Sequence, residues 1–349
     1  MSELEQNVGF TECNKLVIGL LREALVIQAQ TALARLPEAE RGTSMLLSKI
    51  GELMQDMGRR EEARPLLQEA LQARRETLGD RHPDTLSSIF NMGWLLKEMG
   101  QLEEARPLLR EALQARRETL GDRHQDTLRS ISNMAWLLQE MDQLEEARPL
   151  YEEALQARRE TLGDRHPDTL MSINNMGLLL KTMGQLEESM PLYEEALQAR
   201  RETLGDRHQD TLSAIGNMGT LLQEVGQLEE ARPLLEEALN ASRETLGDRH
   251  PHTLISIGNM ADLLRATGAL VESEAVLSNS VGVTQEVFGS NHLRTLKITA
   301  IAARLQHAQP GGAAAGKELL AATVARMAEV LGESHPRACK YRNVLKEME

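Results

Sequence analysis

Aromatic side chains are scarce in this chain. Of 349 residues only 2% are Phe, Trp or Tyr, and two of these are Trp. So few rings leave few platforms for stacked bases, and binding of single-stranded nucleic acid is not expected. Positive charge is in deficit as well. The 39 Lys and Arg against 53 Asp and Glu leave a formal charge of −14, which repels phosphate backbones and anionic lipid surfaces. Cysteine is almost absent. Cys13 and Cys339 lie near opposite ends of the chain, whereas a disulfide needs Cα atoms within about 7 Å. A reducing, cytoplasmic location is therefore expected. The apolar run from Leu16 to Leu21 is too short for a membrane span or a secretory signal core, so no membrane association is expected.

Catalytic signatures are missing too. The chain has no phosphate-binding loop, Gly-rich dinucleotide turn, H-E-x-x-H, C-x-x-C or G-x-S-x-G pattern. It reads as a non-enzyme without a cofactor.

What the chain has is repetition. The string LGDRHPDTL or a close copy begins at Leu78, Leu120, Leu162, Leu204 and Leu246, with weaker echoes at Phe288 and Leu331. A period of 42 residues marks a solenoid, in which each unit buries its apolar face against its neighbours. One repeat is too small to enclose a pocket, so function is to be sought on a surface built by several.

Within a repeat, Leu86, Ile89, Met92, Gly93, Leu95, Leu96 and Met99 fall at spacings of three and four, which predicts an amphipathic helix, here termed A. Leu102, Ala105, Leu108, Leu109, Ala112, Leu113 and Leu120 predict a second helix, B. Gly100, replaced by Asp142 in the next unit, supplies the turn between them. Gly121 suits a left-handed position after helix B, and Pro83 or Pro167 suits the first turn of the following helix A.

Seven hairpins are readable, with A helices near 44–57, 84–99, 126–141, 168–183, 210–225, 252–267 and 294–308. The expected organisation is an N-terminal cap over 1–42, seven hairpins over 43–335 and a capping helix over 336–349. The cap contains a decayed half repeat over 13–34, where Leu21-Arg22-Glu23-Ala24-Leu25 echoes Leu67-Gln68-Glu69-Ala70-Leu71. The seventh helix B, opened by Pro310-Gly311-Gly312, is expected to be the weakest segment.

The hairpin pattern, with Gly93, Leu96, Ala105, Leu109 and Ala112, resembles the tetratricopeptide repeat. Asn91-Met92-Gly93, Arg116-Arg117-Glu118 and Leu120-Gly121-Asp122-Arg123-His124 further resemble the 42-residue repeats of the kinesin light chain and nephrocystin-3 class. The resemblance implies an all-α, right-handed superhelical α-solenoid that recognises a peptide or partner protein in a concave groove lined by A helices. Kinesin light chains carry a long heptad coiled coil before their repeats. The 42 residues before the first hairpin have no sustained heptads, so kinesin heavy chain is not an expected partner.

Seven linker histidines, His82, His124, His166, His208, His250, His292 and His335, stand one hairpin apart. That exceeds the reach of shared metal ligation at ~2 Å bonds, and they read as linker elements. No metal site is expected.

Comparison among the repeats singles out one face of helix A. Phe90, Trp94 and Trp136 stand at positions that elsewhere carry Ser132, Asn174, Gly216 and Leu178, and the spacings of three and four place them opposite the apolar stripe. On a solvent face, drift would also scatter over helix B, yet Arg116, Arg117 and Glu118 recur unchanged as Arg200, Arg201 and Glu202. Contacts diversified for binding and plain surface drift both remain open for the A face, as does inter-helix packing for two exposed tryptophans set side by side.

A column of amides, Asn91, Asn133, Asn175, Asn217 and Asn259, could pair with the backbone of an extended peptide, since Asn both donates and accepts. Bonding to the neighbouring helix is the alternative. One turn further along stand Lys97, Lys181 and Arg265, with Arg129 nearby. The candidate site thus comprises Phe90, Asn91, Trp94, Lys97, Arg129, Asn133, Trp136, Asn175, Leu178, Lys181, Asn217, Asn259 and Arg265. Its expected ligand is a protein or extended peptide, acidic and carrying an apolar anchor. A self-associating scaffold and a regulatory module of a separately encoded enzyme remain as alternatives, and the oligomeric state is open.

Overall fold

The structure, a computed structural model, describes residues 23–37, 45–57, 59–333 and 335–348. Among these residues every regular element is a helix. A first helix runs over 23–34. The first five repeats follow as helix pairs: α1 (Met45–Asp56) and α2 (Arg60–Leu78), α3 (Pro83–Glu98) and α4 (Leu102–Leu120), α5 (Gln125–Glu140) and α6 (Leu144–Leu162), α7 (Pro167–Thr182) and α8 (Leu186–Leu204), then α9 (Gln209–Val225) and α10 (Leu228–Leu246). The sixth repeat has α11 (Pro251–Ala266) and a helix B in two pieces, α12 (Leu270–Leu277) and α13 (Ser280–Phe288). The seventh is α14 (Leu293–Ala308) and α15 (Ala313–Leu331), followed by α16 (Pro336–Glu347). Contacts divide the chain into two compact units, 1–137 and 138–349, and the division falls late in the α5 sequence.

The recurring linker string has a local explanation at each letter. Gly121 and Gly163 both adopt φ of +86° after helix B, a conformation that an L side chain resists. His82, His124, His166, His208, His250 and His292 then act as N-caps, each Nδ1 accepting the backbone N–H two residues on at 3.1–3.2 Å. This satisfies one of the donors that a helix start leaves unpaired. Pro83, Pro167 and Pro251 occupy the first helical turn. The Thr that follows is fully buried, and Thr85 Oγ1 donates to the Arg74 carbonyl at 3.4 Å, tying the new helix to the end of the preceding B helix.

The core is made by the predicted stripes. Ile89, Leu95, Ala105, Leu109 and Ala112 are at most 2% exposed. Gly177 permits Tyr193, a bulkier substitute for the usual Leu, to lie 3.0 Å from where a Cβ would stand. Leu120, assigned to the apolar set of helix B, is instead 39% exposed at the helix end.

Three further expectations require correction or qualification. The seventh helix B is a continuous 19-residue helix. The break falls in the sixth, where Asn279 takes φ of +63° between α12 and α13. Asn279 replaces the Glu found at Glu111, Glu195 and Glu237 in other repeats, and Asn tolerates the left-handed region better than most residues. Arg116 is no solvent residue. It is 3% exposed and donates to Ser130 Oγ at 2.7 Å. Arg74 with Ser88 and Arg158 with Ser172 repeat the pair at 2.6 and 2.5 Å. Finally, residues 13–22 of the half-repeat reading lie outside the described residues. Within 23–34, Val26 and Leu33 are buried, and Glu23 pairs with Arg59 at 2.7 Å.

Candidate partner-binding face

The A-helix face of the 1–137 unit carries an aromatic cluster. Trp94 and Trp136 occupy corresponding positions on α3 and α5, and their ring centroids lie 5.2 Å apart with the planes tilted by 51°. Phe90, one turn before Trp94, stacks on it at 6.4 Å. All three rings are half-buried rather than exposed, because each lies against its neighbour. The rings thus pack on one another while each keeps part of its surface exposed.

Cations border the rings. The Lys97 ammonium sits over both indoles, 3.9 Å from the Trp94 centroid and 3.3 Å from that of Trp136. The guanidiniums of Arg116 and Arg129 approach the Phe90 ring at 5.1 and 5.4 Å. Such contacts are worth about 0.5–2 kcal/mol, depending on desolvation. Burial, then the nearby Arg129 charge, holds the Arg116 guanidinium below its usual range, with Asp126 pulling the other way. Arg129 is exposed and pairs with Asp126 at 3.2 Å.

The amide column divides. Asn91 Nδ2 donates to Glu52 at 2.8 Å, and Asn217 Nδ2 to Asn174 at 2.7 Å. Asn259 accepts from Lys297 at 3.4 Å. These three bridge to the neighbouring A helix, the alternative their sequence position left open. No side-chain hydrogen bond is found for Asn133 or Asn175 among the described residues, and both are half-buried. They stand on different units.

In the 138–349 unit the cation column is largely engaged. Lys181, with 13% of its side chain exposed, pairs with Glu224 at 3.4 Å and donates to Thr220 at 2.9 Å. Burial lowers its pKa, against the pull of Glu224. Arg265 pairs with Asp262 at 3.1 Å, as does Arg304 at 3.2 Å. Leu178 remains 38% exposed.

Sequence comparison missed the order on the B-helix face. Arg75 reaches Glu111 at 2.6 Å, Arg159 reaches Glu195 at 2.6 Å and Arg201 reaches Glu237 at 2.7 Å, each on the next B helix. Linker arginines add Arg81 to Glu118 and Arg165 to Glu202 at 2.5 and 2.6 Å. The 36-residue offset between an Arg and its Glu was present in the repeat itself and could have signalled the ladder. At Arg243 it stops: the position of the ladder Glu holds Asn279, and Arg243 retains the pair with the Asp five residues on, Asp248 at 3.1 Å, that Arg75, Arg159 and Arg201 make as well.

A stack of helical hairpins whose punctuation and core recur every 42 residues defines a protein-interaction repeat scaffold. The tetratricopeptide repeat family matches residues 42–118, 95–160, 126–202, 168–243 and 210–277, and the chain belongs to that family. A crystal structure of a kinesin light chain-class protein with nearly identical TPR-like repeats, from Podosopora anserina, is similar to it at 26% identity. That likeness covers 59% of this chain and 97% of the other, with a TM-score of 0.50. BtubC, a bacterial kinesin light chain-like protein of P. vanneervenii, shares the fold at 20% identity, covering 66% of this chain and 94% of its own, with a TM-score of 0.55. A search of curated proteins finds no match. No helix among the described residues is long and apolar enough to cross a membrane.

Proposed function

We propose that the chain is a non-catalytic cytoplasmic adaptor that binds an extended peptide segment of a partner protein along its A-helix face. The observation that carries this reading is the cluster of Phe90, Trp94 and Trp136 bordered by Lys97 and Arg129. Both Trp of the chain are spent here on a face that the fold could have filled with Leu178 or Thr220, as it does two repeats on. Aromatic anchors set in a partly desolvated surface are the usual seats of binding energy. The cations suit a ligand in which Asp or Glu flanks the apolar anchor. Asn133, in the same unit as the rings, keeps donor and acceptor capacity for a peptide backbone. Kinesin heavy chain is not part of this reading, and no nucleic acid or membrane partner is.

An array of tiled acidic and neutral peptides, probed with the full chain and with Trp94→Ala/Trp136→Ala, tests it. Peptides that combine an acidic residue with a large apolar one should be captured by the parent and lost by the variant, whose cost at an aromatic anchor is about 2 kcal/mol or more. Lys97→Glu should weaken the same peptides and steepen no salt dependence, since it removes an attraction. Capture that survives both changes would move the site off this cluster.

A further inference from the structure

The segment leading into α16 reaches back to the end of an A helix of its own unit. His335, just before α16, places Nε2 3.0 Å from the carbonyl oxygen of Glu140 at the last residue of α5, 195 positions away in sequence. The turn after α5 takes up the carbonyls of Leu138 and Gln139 through Met141, Asp142 and Gln143. The Glu140 carbonyl is among those a helix C-terminus leaves without an intrahelical donor, and the partial negative charge there favours a donor or cation. Beyond burial and the opposing pull of Glu224, the like charge of Lys340 also lowers the pKa of Lys181 on α7.

The chemistry of α16 suits this position. It carries Arg337, Lys340, Arg342 and Lys346 against Glu347 alone, a basic segment in a chain of charge −14. Ala338 is fully buried against α14 and α15 in one apolar cluster, with Tyr341, Val344, Leu345 and Met348 packed beside it. The α5 end that its leading residue meets carries an acidic residue, Glu140. One side of α16 is therefore held by the seventh repeat, while its leading end is fastened to the third.

We propose that α16 is an internal occupant of the A-helix face of the 138–349 unit, latched by His335 onto the end of α5, and that a partner entering this part of the face displaces it. The latch regulates access to the face; its existence does not depend on the peptide chemistry proposed above.

Two measurements on the full chain test it without the partner. In a Cys13→Ser/Cys339→Ser background, nitroxides on Thr182→Cys and Asn343→Cys report the separation of α7 and α16 by pulsed electron resonance. The parent should give one narrow distance distribution, and His335→Asn/Lys340→Glu should give a longer and broader one. Asn keeps an N-cap acceptor for α16 but is too short to reproduce the Nε2 contact, so the helix and its apolar cluster stay intact. A fluorescent peptide of residues 333–349 should then bind the unlatched chain about tenfold more tightly than the parent, because only there is the site vacant. A broad distribution in the parent, identical distributions in both chains, or equal peptide affinity for both overturns the latch. The peptide array and these measurements fail independently, so loss of one reading leaves the other standing.

Discussion

Along the B helices the same side chains recur and meet the same partners in the next repeat. Along the A helices several homologous positions differ, and even the Asn that recurs meets different partners in different repeats. Arg159–Glu195 and Arg201–Glu237 are copies of one interaction, whereas Asn91 meets Glu52, Asn217 meets Asn174, and Asn259 meets Lys297. The difference teaches that constancy on the B face is not the constancy of an idle surface. Arg116 is held by burial and Ser130, and Arg117 by an ion pair with Asp122 at 3.3 Å. The steady B face therefore cannot serve as the measure of free drift, and variation on the A face has to be judged by its own contacts.

The hardest way to break the comparison is to overfill the helix contact beneath it. Ala154 and Ala196 are completely buried on α6 and α8. Ala154→Leu and Ala196→Leu should each cost about 1–3 kcal/mol, read as a lower midpoint in thermal melting. Unaltered melting in both would show that close helix packing is not what those small residues serve.

The adjacent pair Arg116 and Arg117 sharpens the point. Arg116→Ala orphans the buried Ser130 hydroxyl and should cost about 1–2 kcal/mol. Arg117→Ala loses a partly exposed ion pair and should cost about 0–1 kcal/mol. Urea melts of the two variants should differ in midpoint; equal losses would place both residues in the same environment.

A smaller effect concerns pH. His252 stands where other repeats carry Asp84, Asp126, Asp168 and Asp210. Its ring stacks on His250 with centroids 5.6 Å apart, and Ser213 Oγ lies 3.1 Å from its Nδ1. Burial first, then the charges of His250 and Arg294, hold the imidazole below its ordinary 6.5, with Asp210 opposing. The unfolded chain then takes up the proton more readily than the folded one. This contribution is present above about pH 6.5 and is lost as pH falls through the lower folded value. Melting should therefore be lower at pH 5.5 than at pH 7.5, and His252→Asp should lessen that drop. An unchanged drop would remove His252 from the account.

The smallest effect is expected where the ladder ends. Asn279→Glu restores the Arg243 partner and removes the residue best suited to φ of +63°. A gain of about 0–1 kcal/mol and slower amide exchange over 277–281 should follow. Faster exchange there would mean that the break is imposed by packing rather than by the side chain.

Much of the fold was legible because its causes are local and repeated. Gly121, His124 and Thr127 do the same work in repeat after repeat, so a 42-residue period already carried the helix pairs, their caps and their turns. Two tryptophans at equivalent positions in adjacent repeats likewise announced a neighbouring pair. The break at Asn279 was not legible, since the stretch from Pro310 to Gly316 bears stronger breakers, and yet α15 forms because its apolar residues are held by α14 and α16. The partners of the Asn column were hidden as well: whether an amide faces a ligand or the next helix depends on what stands across from it.

The sequence by itself determined that the chain is a tandem array of helical hairpins, because helix periodicity, capping and glycine turns act within a few residues of one another. Tertiary structure alone decided which recurring charges are buried, which amides are already spent, and that His335 meets the end of α5. Those outcomes depend on distances between residues 14, 36 or 195 positions apart, set by how the helices pack and not by the order of the letters.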